Sequence, residues 1–308
     1  MNKKRIVSLF PAATEIIFAL EIDKLLIGRS HECNFPYYAK QVRPLSRPKW
    51  GVNNTGEEAD EIVSDLFNAS FSPYDVHVEA LKKMKPNVII TSSMREDCGL
   101  SEEDLIELTK TELGYPVEVI DVQINSVEDM FATITKIGEA IDVEGRAKRY
   151  IKLLKNRIKH ISVLTEQMDI QKQILFLEWL NPMMVAGGWI PDLIEITGAV
   201  HLLTSIGDKA QKVSFDELKN LDPEVIILGS RGLKIDEIMD EIGKMEDYPK
   251  WEELDAVRNK QVFVVDSADH FTKPGPRLID SLEVLCDMFY PKNFLFGHKG
   301  KNFVPVRF

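Results

Sequence analysis

The chain contains two copies of one segment, LKKMKPNVIITSS at residues 81–93 and LKNLDPEVIILGS at residues 218–230. The copies share seven of thirteen positions at one fixed offset. Each has a helix end, a proline that stops the helix, a buried apolar strand and an exit of small residues. We therefore predict two lobes of similar topology, against the alternative that any helix-proline-strand unit looks like this.

Further β-branched runs surround both copies, and each leads into a helical pattern. Strands that alternate with helices in this way indicate an α/β fold with parallel sheets covered on both faces. The strands are predicted at residues 5–9, 26–29, 88–91 and 117–122 in the first half, and at residues 174–177, 184–186, 225–228 and 262–265 in the second.

Between the two sets of strands, residues 126–165 have apolar side chains at helical spacing, with a predicted interruption at residues 142–144. The part from residue 144 to 165 would be about 30 Å long as a helix, enough to connect two lobes. We predict an N-terminal α/β lobe at 1–125, a helical segment including the interlobe helix at 126–165, and a C-terminal α/β lobe at 166–308.

The composition excludes several classes of protein. With 38 Lys and Arg against 49 Asp and Glu, the 308 residues carry a formal charge of −11, which argues against a nucleic-acid partner. Three widely spaced cysteines predict no disulfide framework. We expect no membrane insertion, because no apolar run reaches the roughly 20 residues that span a bilayer. The amino terminus shows no export signal, so we expect a cytoplasmic chain, or a periplasmic or cell-surface one if a signal was removed.

Ligands of open parallel sheets bind beyond the carboxyl ends of the strands, so the candidate ligand-binding residues are those at or near the predicted strand exits. The aromatic ones suit a flat ligand, although each tryptophan is equally a candidate core residue. Gly188 belongs to a glycine-rich turn that is a candidate for backbone contacts or for a purely structural role. The full set is Phe10, Pro11, His31, Glu32, Trp50, Tyr74, Ser92, Trp179, Gly188, Trp189, Ser230, His270 and Phe271.

A second hypothesis is a metal site. His31, Cys33 and Cys98 follow two predicted strands, and thiolates with an imidazole suit zinc or another soft metal. The spacing is not a zinc signature, and the alternative is that the thiols are small buried side chains. No motif of a standard reaction is present, so we predict no enzyme and no required cofactor.

Several motifs together resemble those of the cobalamin- and iron-siderophore-binding proteins of ABC importers. The motifs are VSLFPAATE at residues 7–15, GRSHECNFP at 28–36, the two Lys-x-x-x-Pro-x-Val-Ile-Ile units, and PGPRL at 274–278. The resemblance covers nearly the whole chain. It implies two Rossmann-like lobes joined by one long helix, with the ligand in a cleft between the lobes.

The chain is most similar to the cobalamin-binding branch of that group. Trp50 matches a tryptophan that packs on the corrin, and Trp179 lies where the family has a phenylalanine. Glu79 and Asp216 match the carboxylates that dock on an ABC permease. Family tryptophans expected near residues 91 and 210 are absent, and residues 53–74 form an insertion.

The resemblance implies a monomeric, non-catalytic solute-binding protein for cobalamin or a related corrinoid. Ferric siderophore or haem is the alternative ligand. A Cys/His metal-dependent or metal-handling protein and a scaffold with a vestigial cleft are the other candidate functions.

Overall fold

A computed structural model describes residues 4–48, 74–93, 102–168, 171–242 and 251–306. The chain forms two compact units. Unit 1 comprises Met1–Ile124 and Asp129–Lys152, and unit 2 comprises Asn125–Glu128 and Leu153–Phe308. The predicted helical segment 126–165 is therefore shared between the two units.

The elements of unit 1 are β1 (Ile6–Ser8), α1 (Pro11–Ala19), β2 (Leu26–Arg29), β3 (Ser46–Pro48), β4 (Tyr74–Val76), α2 (Val78–Met84), β5 (Val88–Thr91), α3 (Glu102–Leu108), β6 (Glu118–Asp121), α4 (Val127–Ala140) and α5 (Glu144–Thr165), the last extending into unit 2. Four of the strands form a parallel sheet with the order β2-β1-β5-β6, and β3 and β4 form a separate antiparallel pair. Leu81 of the repeat packs with Val7 and Ile89 in the core on one face of the parallel sheet.

The elements of unit 2 are β7 (Gln173–Leu180), β8 (Met183–Val185), α6 (Ile190–Ile196), β9 (Val200–His201), β10 (Gln211–Lys212), α7 (Phe215–Leu221), β11 (Val225–Leu228), α8 (Ile235–Ile242), α9 (Asp255–Arg258), β12 (Val262–Val265), α10 (Leu278–Phe289) and β13 (Phe303–Pro305). The strands form a mixed sheet with the order β10-β8-β7-β11-β12-β13, in which β9 also pairs with β7. The central strands β7, β11 and β12 are parallel.

The repeated segment has the same local structure in both units. The residue directly after α2 is Lys85, which takes a left-handed conformation with φ of 47°, and the residue directly after α7 is Asp222, with φ of 38°. A proline follows each of these residues, and a fully buried central strand, β5 or β11, begins two residues after the proline. Burial of each isoleucine in these strands contributes about 1.5–3 kcal/mol, so the repeat supplies the middle of each core.

One predicted helix boundary is present in the structure, and one predicted strand differs in direction. The interruption at 142–144 is confirmed, because α4 ends at Ala140, Asp142 has φ of 60°, and α5 begins at Glu144. The strand predicted at 184–186 is present, but it runs antiparallel to β7. Only Asn181 and Pro182 separate β7 from β8, and so short a connection joins antiparallel neighbours only. In the ranges that the structure describes, no helix is both long and apolar enough to cross a bilayer.

Candidate functional site

The carboxyl ends of the strands in unit 1 hold five of the predicted ligand-binding residues. Phe10 and Ser92 are 3% and 1% exposed, and Pro11 is buried at the start of α1. His31 and Glu32, which follow β2, are partly exposed. Of these five residues, only His31 and Glu32 therefore present side-chain surface to solvent.

Hydroxyl groups orient the imidazole of His31. Its Nδ1 lies 2.7 Å from Oγ of Ser46, which also accepts a hydrogen bond from the backbone N–H of His31. The Ser46 hydroxyl in turn donates to Oγ of Ser30 over 3.1 Å. The ring is thus tied to β3 and to the exit of β2.

Cys33 faces a different set of partners. Its Sγ lies 3.0 Å from Oγ1 of Thr14 and 3.9 Å from the carbonyl oxygen of Ser8. Burial raises the pKa of the Cys33 thiol to about 12, so it is protonated at neutral pH, whereas metal ligation requires the thiolate. The geometry gives Cys33 the role of a small buried side chain.

Cys98, the third residue of the predicted metal site, lies outside the described residues, as does Trp50. Only the backbone of Tyr74 is described, as the start of β4 opposite Pro48. Within the described ranges, no group of three or more His, Cys, Asp and Glu side chains is placed to hold a metal ion.

Arg29 is a residue that the sequence analysis missed. It is only 8% exposed, and its guanidinium donates to the carbonyl oxygens of Ser30, His31, Lys40 and Val42. These bonds hold the loop after β2 in place. The only sequence feature that indicates this role is the position of Arg29, a charged residue at the end of an apolar strand.

That loop carries two exposed aromatic side chains, which the sequence analysis also missed. Tyr37 is 72% and Tyr38 is 67% exposed, on a short 3₁₀ turn, Tyr37–Gln41. Their rings meet edge to face, and the Lys40 ammonium lies 5.7 Å from the centre of the Tyr37 ring. The adjacent tyrosines after a strand exit are a visible signal in the sequence.

In unit 2 the two predicted tryptophans have different surroundings. Trp179, at the end of β7, is partly exposed, and its Nε1 donates to the carbonyl oxygen of Asn181 over 2.9 Å. Trp189 is 6% exposed, and its Nε1 donates to the carbonyl oxygen of Phe271. Phe271 is 3% exposed and packs 5.3 Å from the ring of Phe176. Trp179 can therefore offer a ring to a ligand, whereas Trp189 and Phe271 belong to the core.

Ser230 and His270 are both held by other side chains of unit 2. Ser230 is 1% exposed and donates to Oε2 of Glu241 over 3.2 Å. The Nε2 of His270 lies 2.6 Å from Nδ2 of Asn302. Burial lowers the pKa of His270 to about 4, so the imidazole is neutral at neutral pH.

The glycine-rich turn before α6 is packed against a neighbouring loop. Gly188 has φ of 60°, donates to the carbonyl oxygen of Asp208 and accepts from the N–H of Gly207. A Cβ on Gly187 would lie 2.1 Å from the same Asp208 oxygen, so no larger residue fits there. These contacts account for both glycines structurally.

An ion pair at the exits of β7 and β11 was also missed. Nη2 of Arg231 lies 2.7 Å from Oε1 and 2.9 Å from Oε2 of Glu178. Both residues line a small pocket together with Phe176, Gly229, Ser267 and Thr272, among others. The pairing was hidden because 53 residues separate the partners.

The two predicted docking carboxylates each lie two residues before a copy of the repeated segment, in the first turns of α2 and α7. Both are exposed. Oε1 of Glu79 lies 3.1 Å from Nζ of Lys82, which also contacts Glu112 over 2.6 Å. Asp216 adjoins Glu217, whose carboxylate forms a capping box with Ser214.

The sequence profile of the periplasmic binding protein family matches residues 6–268, so the chain belongs to that family. Among the relatives, it is 26% identical to an ABC transporter substrate-binding lipoprotein of Bacillus subtilis, over 94% of this chain and 81% of the lipoprotein. It is 20% identical to a vitamin B12-binding protein of Vibrio cholerae, over 92% of this chain and 88% of that protein.

A similar solved structure is that of a periplasmic heme-binding protein from Pseudomonas aeruginosa. It has a TM-score of 0.67 and 20% sequence identity, and the match covers 94% of each chain. This likeness supports the two-unit α/β fold.

Proposed function

We propose that this chain is a non-catalytic solute-binding protein of the ABC-importer type, and that its ligand is cobalamin or a related corrinoid. Membership of the periplasmic binding protein family supports the class. The observation that carries the ligand assignment is the partly exposed ring of Trp179 at the carboxyl end of the unit 2 sheet, where ligands of such sheets bind. The B12-binding relative from Vibrio cholerae supports the same ligand.

The test is isothermal titration of the purified chain with cyanocobalamin, cobinamide, haem and a ferric siderophore in parallel. One-to-one binding of a corrinoid, with quenching of tryptophan fluorescence, is the expected result. Binding of haem or the siderophore alone would reassign the ligand within the same class. If none of the four compounds binds, the ligand assignment is refuted.

Haem is the second candidate ligand. The likeness to a heme-binding protein of known structure supports it, and Tyr37 and Tyr38 offer exposed phenol groups in unit 1. A haem-iron spectrum that changes on replacement of either tyrosine by phenylalanine would favour this ligand over a corrinoid.

The metal-handling hypothesis has less support in the geometry. Cys33 is buried and protonated at neutral pH, and His31 is bonded to Ser46 and not to the thiol. Metal analysis of protein purified without chelator decides the matter. A stoichiometric metal that is lost in Cys33→Ala would favour that hypothesis over solute binding.

The proposal extends to a partner and a location. An ABC permease is the partner that an importer-type binding protein serves. Glu79 and Asp216 are its proposed contacts, because both are exposed and each lies two residues before a copy of the repeated segment. The proposed location is the outer side of the cytoplasmic membrane, and a relative that is an ABC transporter substrate-binding lipoprotein supports it.

A further inference from the structure

Helix α5 is strongly basic in a chain that is acidic as a whole. It contains seven Lys and Arg side chains and one carboxylate, that of Glu144, and its formal charge is therefore +6. The whole chain has a formal charge of −11, so the residues outside α5 carry −17. A helix whose charge opposes that of the rest of the molecule in this way favours an anionic partner.

Only part of this charge is neutralised within the molecule. Three of the seven basic side chains form ion pairs, which are Arg146 with Glu21, Lys155 with Glu128, and Arg157 with Asp280 and Glu283. The other four form no ion pair with any residue that the structure describes, and all four are exposed. These four, Lys148, Arg149, Lys152 and Lys159, are named the basic face of α5.

The basic face lies on one side of the helix, opposite its buried side. Successive residues of an α-helix are turned by about 100°, so the three lysines lie within about 40° of one another and the arginine within about 100° of them. The lysines span about 16 Å along the helix axis. Ala147, Leu154 and Ile161 are buried on the opposite side. The charges are therefore presented together to one external surface.

Two exposed apolar side chains adjoin the basic face and indicate which surface it contacts. Leu153 is 54% exposed, one turn after Arg149, and Val163 is 45% exposed, one turn after Lys159. Helices that lie on a bilayer combine lysines with such apolar side chains, which reach the boundary between head groups and acyl chains. Lysine is also a hydrated point charge on a flexible stem, which suits a fluid layer of head groups. These features favour a lipid surface over an acidic protein.

We propose that the basic face of α5 binds the surface of a bilayer that contains anionic lipids. The ammonium groups contact the lipid phosphates, and Leu153 and Val163 contact the boundary with the acyl chains. The contact is peripheral, and no helix enters the bilayer. Because the rest of the chain carries −17 and is repelled by the same surface, the contact also orients the molecule. This inference goes beyond the proposed function, since it involves neither the ligand nor the permease.

The experiment measures co-sedimentation of the purified chain with two kinds of vesicle, phosphatidylcholine alone and phosphatidylcholine mixed in equal parts with phosphatidylglycerol. The wild-type chain should prefer the mixed vesicles at about 0.1 M salt and lose that preference at about 1 M, where the screening length is only about 3 Å. The α5 variant combines Lys148→Gln, Lys152→Gln and Lys159→Gln. Each lysine near an anionic surface changes binding about fivefold, so this variant should bind the mixed vesicles about a hundredfold more weakly.

A matched control separates the basic face from net charge. It combines Lys24→Gln, Lys83→Gln and Lys292→Gln, three exposed lysines outside α5, so its net charge equals that of the α5 variant. The control should bind the mixed vesicles within twofold of the wild type. Leu153→Ser keeps every charge and should weaken vesicle binding about fivefold, because about half of the leucine side chain is available for burial. A thermal melt of each variant checks that the fold is retained.

Three outcomes would overturn the membrane contact. One is equal binding of the wild type to the two kinds of vesicle, and another is an equal loss in the α5 variant and the control. The third is binding of soluble polyglutamate, lost in the α5 variant, without any preference for the mixed vesicles, which would assign the basic face to an acidic protein. Each of these outcomes leaves corrinoid binding intact, because titration with the ligand needs no vesicles.

Discussion

Replacement of Trp179 by alanine should weaken ligand binding about tenfold. A tryptophan can bury roughly 150–250 Å². Trp179 is partly exposed, so we assume that a ligand covers about 60 Å² of it, about a third of that area. At about 25 cal/mol per Å², this area is worth about 1.5 kcal/mol, which is about a tenfold change in Kd. The bond from Nε1 to Asn181 holds the ring in place, so little ordering cost offsets the gain.

The matched control is Trp189→Phe in the same unit. Trp189 is buried and bonded to the carbonyl oxygen of Phe271, so this change should lower the melting temperature and leave Kd within twofold. Isothermal titration with cyanocobalamin and a thermal melt of each variant give both quantities. An unchanged Kd for Trp179→Ala, or a loss of affinity in Trp189→Phe as large as in Trp179→Ala, would refute the assignment of the exposed ring as the ligand contact.

Three other predictions follow from side-chain environments. Burial lowers the pKa of His201 from 6.5 to about 4, so the unfolded state binds more protons than the folded state between these pH values. Acidification from pH 6.5 to 4 should therefore lower the free energy of unfolding by about 3 kcal/mol. Unfolding by denaturant at the two pH values should show a smaller loss in His201→Asn, and equal losses in the two proteins would contradict this. The buried Cys33 thiol should not react with a disulfide reagent at pH 8 until denaturant is added, as measured in the Cys98→Ala variant. Rapid labelling of Cys33 in the native state of that variant would contradict the buried position of the thiol. Charge reversal at Glu79 or Asp216 should leave ligand affinity unchanged and reduce uptake through a permease in cells, and a loss of affinity equal to the loss of uptake would refute a docking role.

The order of elements could be predicted from local pattern. The prolines at 86 and 223 and the apolar runs after them are sufficient to place β5 and β11, and the observed bounds are those predicted. The direction of β8 was not predicted, because an apolar run of three residues does not show orientation. The short Asn181-Pro182 connection did carry that information.

The candidate site was harder to predict, because burial depends on contacts between distant parts of the chain. Trp179 and Trp189 are ten residues apart and equally aromatic, but one is partly exposed and the other is in the core. The pairing of Glu178 with Arg231 requires the register of β7 against β11, in which Leu177 lies opposite Leu228. No local pattern contains that register.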